Sequence, residues 1–404
     1  MMYINPIKIY ESEFWRFYMD DITIADNRLK CVFLITGMMM GGAERVLSTI
    51  ANEMAARGHQ ITLISLKPDA SAYPLNSKIE FICSDCKITN SNYLIKIIQM
   101  CASAIKGLNK YRSIVKEKQP DVVLAFLTNS NFLALICKKL YFRHIPLVVS
   151  ERADPCARKS KLIKFMITWL YPQADCIVCQ GSKVAAYFKS VNEKSKINII
   201  PNPIDADCIC QNTPVKRNKK IVAIGRLCKQ KNYDLLIESF YEFHRIYDEY
   251  EVEIYGQGPE EKRLREKVKI LGLEDKVHFM GVMDRVMRQA NNASLYIMTS
   301  DFEGFPNALL EAMASGLPVI CTDFPTGTAC DVIINGVNGY IVPMNDRKRL
   351  TEAMIKILNN SDDLEKMGQN ARQIYHRYNT KTIVNQWENL FFELKNMIYR
   401  TYDC

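Results

Sequence analysis

The sequence predicts an α/β protein of two domains, each a parallel sheet with helices on both faces, set against each other across a cleft. Three observations carry this. Short apolar runs alternate with amphipathic stretches from Cys31 to Ile200, the pattern of strand, crossover helix and parallel strand. A polar, proline-punctuated stretch, Ile199 to Asp207 and then Gln211 to Lys219, interrupts the pattern and reads as a linker. The alternation resumes at Lys220. A chain of 404 residues exceeds one typical core, so two domains of similar size are expected. The resulting division is an extension over 1–30, a first domain over 31–200, a second over 201–380, and a C-terminal helix over 381–404 with the reach to fold back across the first domain.

An apolar fraction of 48% and a charged fraction of 24% are those of a globular chain rather than a disordered one. No apolar run approaches the roughly 20 residues that span a bilayer. Lys8, Glu11, Glu13, Arg16, Asp20 and Asp21 interrupt the N-terminal apolar runs, which argues against a signal peptide. The net charge of +9 favours an anionic partner: nucleic acid, phosphorylated substrate or acidic lipid. Nucleic acid is disfavoured, because the basic runs carry no interleaved aromatic platforms and no recognised binding motif. Fourteen Cys, many inside core-like runs, fit a reducing cytosol better than a disulfide framework. Cys83 and Cys86 fall in a loop. Cys176 and Cys179 fall in a strand-like run, where residues three apart face opposite sides and cannot share one metal.

In the first domain, the strand Cys31 to Thr36 is followed by a glycine-rich turn and an amphipathic helix from Ala43 to Arg57. Gly41 and Gly42 permit close backbone approach to a ligand. The turn is not a P-loop, since Ala43 stands where Lys would be, and it does not fit GxGxxG. Further strands are expected at Gln60 to Leu66, Lys78 to Ile82, Asp121 to Ala125, Ile145 to Val149, Asp175 to Cys179 and Ile197 to Ile200. Two helical stretches are markedly basic. Asn92 to Lys118 carries Lys96, Lys106, Lys110, Arg112, Lys116 and Lys118, and Arg152 to Lys164 carries Arg158, Lys159, Lys161 and Lys164, both among apolar residues. Each fits an anionic membrane surface or a solvated face over a core. Asp205 and Asp207 match an Asp-x-Asp metal motif, a spacing that also arises by chance.

The second domain opens with the strand Lys220 to Ile224, then Gly225, Arg226 and Leu227, then Lys231 at the entry of a helix from Tyr233 to Tyr247. A cation at a strand's carboxyl end and another at the next helix entry can converge on one anion. The strand Glu251 to Tyr255 leads into GQGPEE, whose Gly256 and Gly258 are two glycines of a dinucleotide fingerprint with Glu261 in the third place. A turn lining a cleft is the reading. The strands Lys276 to Met280, Ala293 to Met298 and Pro318 to Cys321 follow, with helices at Asp346 to Asn360 and Ser361 to Tyr378.

The densest signal is Asp301 to Ile320, DFEGFPNALLEAMASGLPVI. Gly304 breaks regular structure after a strand, Pro306 presets the first helical turn, and Gly316 and Pro318 end the helix. Its free amides and dipole point toward the strand ends, where open α/β sheets bind ligands, so an anion belongs there. Glu303 precedes that end and Glu311 lies inside the helix. Both suit sugar hydroxyls better than phosphate.

Taken in order, GGAER, the GR…K…N segment, GQGP and EGFPNALLEAMASGLPVI resemble a retaining glycosyltransferase of the GT-B fold in the family four grouping, from about Cys31 to about Tyr378. The resemblance implies two Rossmann-like parallel-sheet domains facing a cleft, with a nucleoside diphosphate sugar held mainly by the second. Arg226 and Lys231 would neutralise the diphosphate. The turn of Gly304, Phe305, Pro306, Asn307 and Ala308 would offer amides, Glu311 would hold ribose and Glu303 the donor sugar. Gly258 and Val282 would line the donor pocket, and Gly41 and Gly42 would face it. Arg226, Lys231 and Glu303 are the expected catalytic groups; no metal and no other cofactor is expected, and retained configuration is. Many relatives carry a His after the strand ending at Val149; Ser150, Glu151, Arg152, Ala153, Asp154 and Pro155 stand there instead. SERADP is similar to the version in transferases that extend lipid-diphosphate-linked glycans with GalNAc, Gal or GlcNAc for bacterial surface polysaccharide, lipopolysaccharide O-antigen or protein glycans. That places Glu151 and Arg152 near the acceptor and the protein at the inner face of the cytoplasmic membrane. An epimerase or phosphorylase of the same fold, or a non-catalytic basic binding protein, remain the alternatives.

Overall fold

The computed structural model describes residues 28–68, 70–83, 93–152, 160–191, 193, 195–210 and 216–402, with backbone alone over 93–104 and 398–402. Most of the expected extension, Cys86, and the basic residues Lys96, Arg158 and Lys159 lie outside what is described, wholly or in their side chains. The first domain runs β1 (Lys30–Ile35), α1 (Gly42–Ala56), β2 (Gln60–Ser65), β3 (Glu80–Cys83), α2 (Tyr93–Lys118), β4 (Val122–Phe126), α3 (Thr128–Leu140), β5 (Leu147–Ser150), α4 (Lys161–Leu170), β6 (Cys176–Cys179), α5 (Ser182–Val191) and β7 (Ile197–Ile199). The second runs β8 (Lys220–Ile224), α6 (Tyr233–His244), β9 (Glu251–Tyr255), α7 (Glu261–Ile270), β10 (Val277–Gly281), α8 (Val286–Gln289), β11 (Leu295–Met298), α9 (Asn307–Ala314), β12 (Val319–Thr322), β13 (Gly339–Val342), α10 (Arg347–Leu358), α11 (Ser361–Arg372) and α12 (Ile374–Tyr378), and α13 (Thr380–Tyr402) follows.

All strand pairings between these elements are parallel. The sheet orders are β3-β2-β1-β4-β5-β6-β7 and β10-β9-β8-β11-β12-β13. The α/β expectation therefore holds for both domains. In each sheet the winding reverses once, between β1 and β4 and between β8 and β11. Loops leaving the carboxyl ends of those neighbours turn to opposite faces and open a crevice between them. β13 escaped sequence reasoning because it is a four-residue edge strand with Tyr340 and Ile341 only half buried, too short to show a periodicity.

Apolar side chains cover both faces of the first sheet. Cys176 packs in the core on one face and Cys179 in the core on the other, as period-two alternation requires. The face bearing Cys176 is closed by α13, whose Trp387 and Phe391 are fully buried among Phe33, Leu47 and Phe126. Polar contacts fasten the same helix: Arg57 Nη1 donates to Asn385 Oδ1 at 2.6 Å, His59 Nε2 lies 2.7 Å from Glu388 Oε1, and Lys395 pairs with Asp121 at 3.0 Å. A helix that follows the second domain in sequence thus completes the core of the first. The chain crosses between domains near Ile204 and again near Tyr378, and these crossings lie side by side, with Ile204 N donating to Tyr378 O at 2.7 Å.

α4 has two apolar faces. Ile167 and Leu170 are buried, while Leu162, Phe165 and Trp169, spaced three and four apart, are 67%, 65% and 56% exposed. Lys161 and Lys164 flank them in solvent, and Lys139 Nζ sits 4.4 Å above the Trp169 ring. Leu140 and Tyr141, at the end of α3, are exposed apolar residues as well. The basic α2 differs: Tyr111, Ile114 and Val115 are buried in the core. No helix among the described residues is long and apolar enough to cross a membrane.

Candidate active site

The second domain's crevice is assembled by two loops. Gly225 follows β8 at φ +155°, a backbone conformation that strains other residues, and a Cβ there would come within 2.8 Å of Lys231 Cε and push that side chain aside. The returning loop lies on the one after β11: Asp301 N donates to Gln230 O at 2.8 Å, Gln230 Nε2 to Phe302 O at 2.7 Å, and Thr299 Oγ1 to Lys231 O at 2.9 Å. Asn232, left-handed at φ 46°, caps α6 and donates to Asp301 Oδ1 at 2.9 Å. This scaffold brings Lys231 Nζ to 2.5 Å from Glu303 Oε1, across 72 residues of sequence. Ser300 Oγ donates to the same oxygen at 2.6 Å, and Thr326 Oγ1 holds the Glu303 carbonyl at 2.9 Å. A buried carboxylate with a cation and a hydroxyl on one oxygen is fixed in orientation.

Arg226, next to Gly225, is exposed, and no side-chain partner for it exists among the described residues. Glu303 is followed by Gly304, and Phe305 turns its ring into the core beside Tyr378. Phe305 therefore has only backbone to offer the cleft. Pro306 caps α9 without any side-chain hydrogen bond to the first turn. The Asn307 amide turns back to Phe305 O at 3.0 Å; those of Ala308 and Leu309 lack intrahelical acceptors, as at any helix start. Gly258 plays a bracing part: a Cβ there would meet Leu227 O at 2.3 Å, and Leu227 N donates to Gln257 O at 3.0 Å. It shapes the Arg226 loop from behind. Val282 follows Gly281 and is 61% exposed.

The first domain meets this crevice with α1. A Cβ on Gly42 would lie 3.3 Å from Asn307 Nδ2, so the glycine turn stands directly against the start of α9. Tyr73 clamps the turn, its hydroxyl accepting from Gly41 N at 3.0 Å and donating to Gly41 O at 2.9 Å. Arg45, one turn into α1, reaches Glu311 of α9 in an ion pair. Asn202 adds a second bridge, donating to Asn307 Oδ1 at 2.6 Å. At the far end, Ser182 Oγ donates to Asp331 Oδ1 at 2.8 Å. Sequence reasoning missed Arg45, Asn202 and Asp331. The Arg of GGAER was the one available signal, and nothing in the linker pattern marked Asn202.

Glu151 and Arg152 are buried, 1% and 8% exposed. Glu151 accepts from Tyr171 OH at 2.7 Å and from Thr128 Oγ1 at 3.2 Å. Arg152 Nη1 donates to Asn202 Oδ1 at 2.6 Å, its guanidinium lies 4.1 Å from the Phe126 ring centroid, and its Nε and Nη2 carry no hydrogen bond among the described residues. Burial pushes this guanidinium down to about 9, against the smaller opposing effects of Cys179 and Glu151. Arg152 supports the domain junction: with Gln180 it donates to Asn202 Oδ1 and so orients the amide whose Nδ2 donates to Asn307. In front of it, a cavity of about 380 Å³ opens at the ends of β1, β2 and β4, lined by Thr36, Gly37, Glu44, Lys67, Leu127 and Thr128. Asp205 caps the turn at Asp207 N, 2.9 Å, and Asp207 pairs with Arg288 at 3.0 Å, so both acids of the Asp-x-Asp spacing have structural partners.

Comparison with known proteins adds to this geometry. Residues 40–207 match the family model described as Glycosyltransferase Family 4, and residues 209–374 that of Glycosyl transferases group 1. A Campylobacter jejuni protein, GalNAc-alpha-(1->4)-GalNAc-alpha-(1->3)-diNAcBac-PP-undecaprenol alpha-1,4-N-acetyl-D-galactosaminyltransferase, is 26% identical over 371 residues, 91% of this chain and 99% of its own. From the same organism, N-acetylgalactosamine-N,N'-diacetylbacillosaminyl-diphospho-undecaprenol 4-alpha-N-acetylgalactosaminyltransferase is 26% identical over 84% of this chain and 93% of its own. Among solved structures, Anabaena HepE in complex with UDP superposes at a TM-score of 0.73 with 18% identity, covering 90% of this chain and 100% of its own. The lipopolysaccharide outer core galactosyltransferase WaaB superposes at 0.72 with 19% identity, covering 90% and 99%. Structural likeness at such identities establishes the shared fold.

Proposed function

Because the chain belongs to the family four glycosyltransferases of the GT-B fold, we propose that it moves an N-acetylhexosamine or hexose from a UDP-sugar onto a glycan carried on a lipid diphosphate, with retention of configuration. UDP-GalNAc leads UDP-Gal and UDP-GlcNAc as the donor, on the names of the Campylobacter relatives. The observation that carries the reading is the Lys231–Glu303 pair beside the uncapped start of α9. It offers the donor a cation, free amides and a fixed carboxylate within one crevice.

The sugar–phosphate bond breaks with positive charge growing at the anomeric carbon and negative charge on the leaving phosphate. Lys231 has two further N–H donors beyond the one given to Glu303, and with Arg226 and the Ala308 and Leu309 amides it stabilises that departing charge. Glu303 holds donor-sugar hydroxyls. Glu311 holds the ribose. The acceptor hydroxyl attacks from the leaving-group side, its proton passing to the phosphate oxygen as the new glycosidic bond forms, so neither an enzyme nucleophile nor a metal is needed. The acceptor glycan enters the first-domain cavity, where Glu44, Lys67 and Thr128 offer polar contacts, with Glu151 and Arg152 shaping its wall from within.

Leu162, Phe165 and Trp169, ringed by Lys139, Lys161 and Lys164, suit an anionic membrane surface better than water. Ile163 of the same helix lines the acceptor cavity. A lipid-anchored acceptor would therefore present its glycan at the mouth of that cavity while the protein rests peripherally on the inner leaflet.

The test incubates the protein with UDP-, GDP- and ADP-sugars and a panel of lipid-diphosphate glycans, following nucleotide release and the anomeric configuration of the product. The expected result is acceptor-dependent UDP release, unchanged by EDTA, and an α-linked product. Release without acceptor, or interconversion of the donor sugar, would replace the transferase reading by an epimerase one.

A further inference from the structure

Arg45 is a charged side chain of the first domain that reaches Glu311 in the second. Its Nη2 donates to Glu311 Oε1 across 266 residues of sequence, and its Nη1 points at Cys208 Sγ, 3.7 Å away. Glu311 Oε2 takes no hydrogen bond among the described residues. We propose that Arg45 is a positioning residue for the donor ribose: from the first domain it holds and aims the Glu311 carboxylate through one oxygen and leaves the other to accept from a ribose hydroxyl. This rests on the donor reading above and adds to it that ribose recognition needs both domains in register.

Three observations converge on the assignment. The approach of α1 to α9 has support independent of the pair: Gly42 lies so near Asn307 that a Cβ would come within 3.3 Å of its Nδ2, Tyr73 holds the turn that opens α1, and Asn202 donates to Asn307. Arg45 is thus delivered by packing, not by its own charge. Glu311 is poorly solvated, its side chain 16% exposed, and burial raises its pKa while Arg45 opposes that rise and Asp205 adds to it. Among the described residues, the ionisable groups whose charge reaches this carboxylate are Arg45 of α1, Asp205 and Cys208 of the inter-domain segment, and Tyr296 of β11, with Tyr73 facing Arg45. Arg45 is the sole cation in that set. Removing it leaves a buried carboxyl next to another acid and takes away the one influence that opposes the rise of its pKa; to the extent that the carboxyl then takes up a proton, it loses the charge-assisted acceptance that ribose hydroxyls favour.

The test measures binding of UDP and of inorganic pyrophosphate to the full-length protein by calorimetry from about pH 5 to about pH 8, for wild type, Arg45→Met and Arg45→Lys. Arg45→Met is expected to bind UDP about tenfold more weakly near neutrality, with the loss of affinity on the acid side moved up by about one pH unit. Pyrophosphate, which has no ribose, is expected to bind as before, and Arg45→Lys to recover part of both effects. If Arg45→Met fails to fold, Arg45→Lys carries the test through a smaller shift of the acid limb in the same direction. Unchanged UDP affinity and pH profile overturn the proposal, and so does a loss of pyrophosphate affinity as large as that of UDP, which would make Arg45 a phosphate ligand. A wild-type protein that binds none of UDP, GDP and ADP would instead overturn the donor reading, and this role with it.

Discussion

The crevice between β8 and β11 and the one between β1 and β4 arise from the same reversal of winding, yet they are furnished differently. The second domain's loops gather charge at the cleft: Lys231 on Glu303, Arg226 with no side-chain partner among the described residues, and an uncapped helix start. The first domain turns its charges inward, Glu151 onto Tyr171 and Thr128, Arg152 onto Asn202 and the Phe126 ring, and leaves a cavity in front. Under the function proposed above, one half would grip a fixed, highly charged ligand and the other would be a firm wall around a variable one. The difference extends to what holds each half together, since the first domain borrows α13 from beyond the second to close its core.

The largest test of that contrast is Trp387→Ala. Trp387 is fully buried between α13 and the first sheet, and its truncation should cost about 3–5 kcal/mol, read as a separate early transition of the first domain in denaturant unfolding. A single unshifted transition would mean that α13 is not what distinguishes the halves. Next come Arg226→Ala and Lys231→Ala, each expected to lower turnover about a hundred- to a thousandfold with the unfolding profile of the first domain intact. Glu311→Ala should act chiefly on donor KM, and either cation variant retaining full rate would remove that residue from the leaving-group role. On the first domain, Phe165→Ser with Trp169→Ser should weaken binding to anionic phosphatidylglycerol vesicles about tenfold, with turnover on a water-soluble acceptor unchanged. Equal loss on both acceptors would place α4 in catalysis rather than at a membrane.

The smallest effect is electrostatic. Burial works to raise the Glu388 pKa, but His59 and Arg57 outweigh it and hold the carboxyl below its ordinary value. A depressed carboxylate contributes stability above its unfolded pKa and loses it as pH falls through the folded one. Acid below about pH 4 should therefore loosen α13 from the first domain, and Glu388→Gln should flatten that dependence by about 1 kcal/mol. Thermal melts across this range, watched through Trp387 fluorescence, report the result.

Much of the second domain's site was legible because its parts are local. Gly304, Pro306 and Gly316 punctuate α9 within ten residues or so of Glu303 and Glu311, and backbone rules alone put a helix start and two carboxylates at a strand end. The alternation of strands and helices likewise set both parallel sheets, since a parallel pair needs a crossover between its strands. What the pattern left open was burial. The exposed apolar stripe of α4 and the inward turn of Glu151 and Arg152 have the same residue types as a core helix and a surface pair.

By itself, then, the order of residues determined the fold class, the helix at Asn307 and the residue types that gather at the ends of β8 and β11, because each follows from neighbours within one supersecondary unit. Tertiary structure alone decided that Lys231 meets Glu303, that Arg45 and Asn202 cross the cleft to Glu311 and Asn307, and that α13 seals the first core. Those contacts join residues tens to hundreds of positions apart. Their geometry depends on how two finished domains pack, and no local periodicity carries that information.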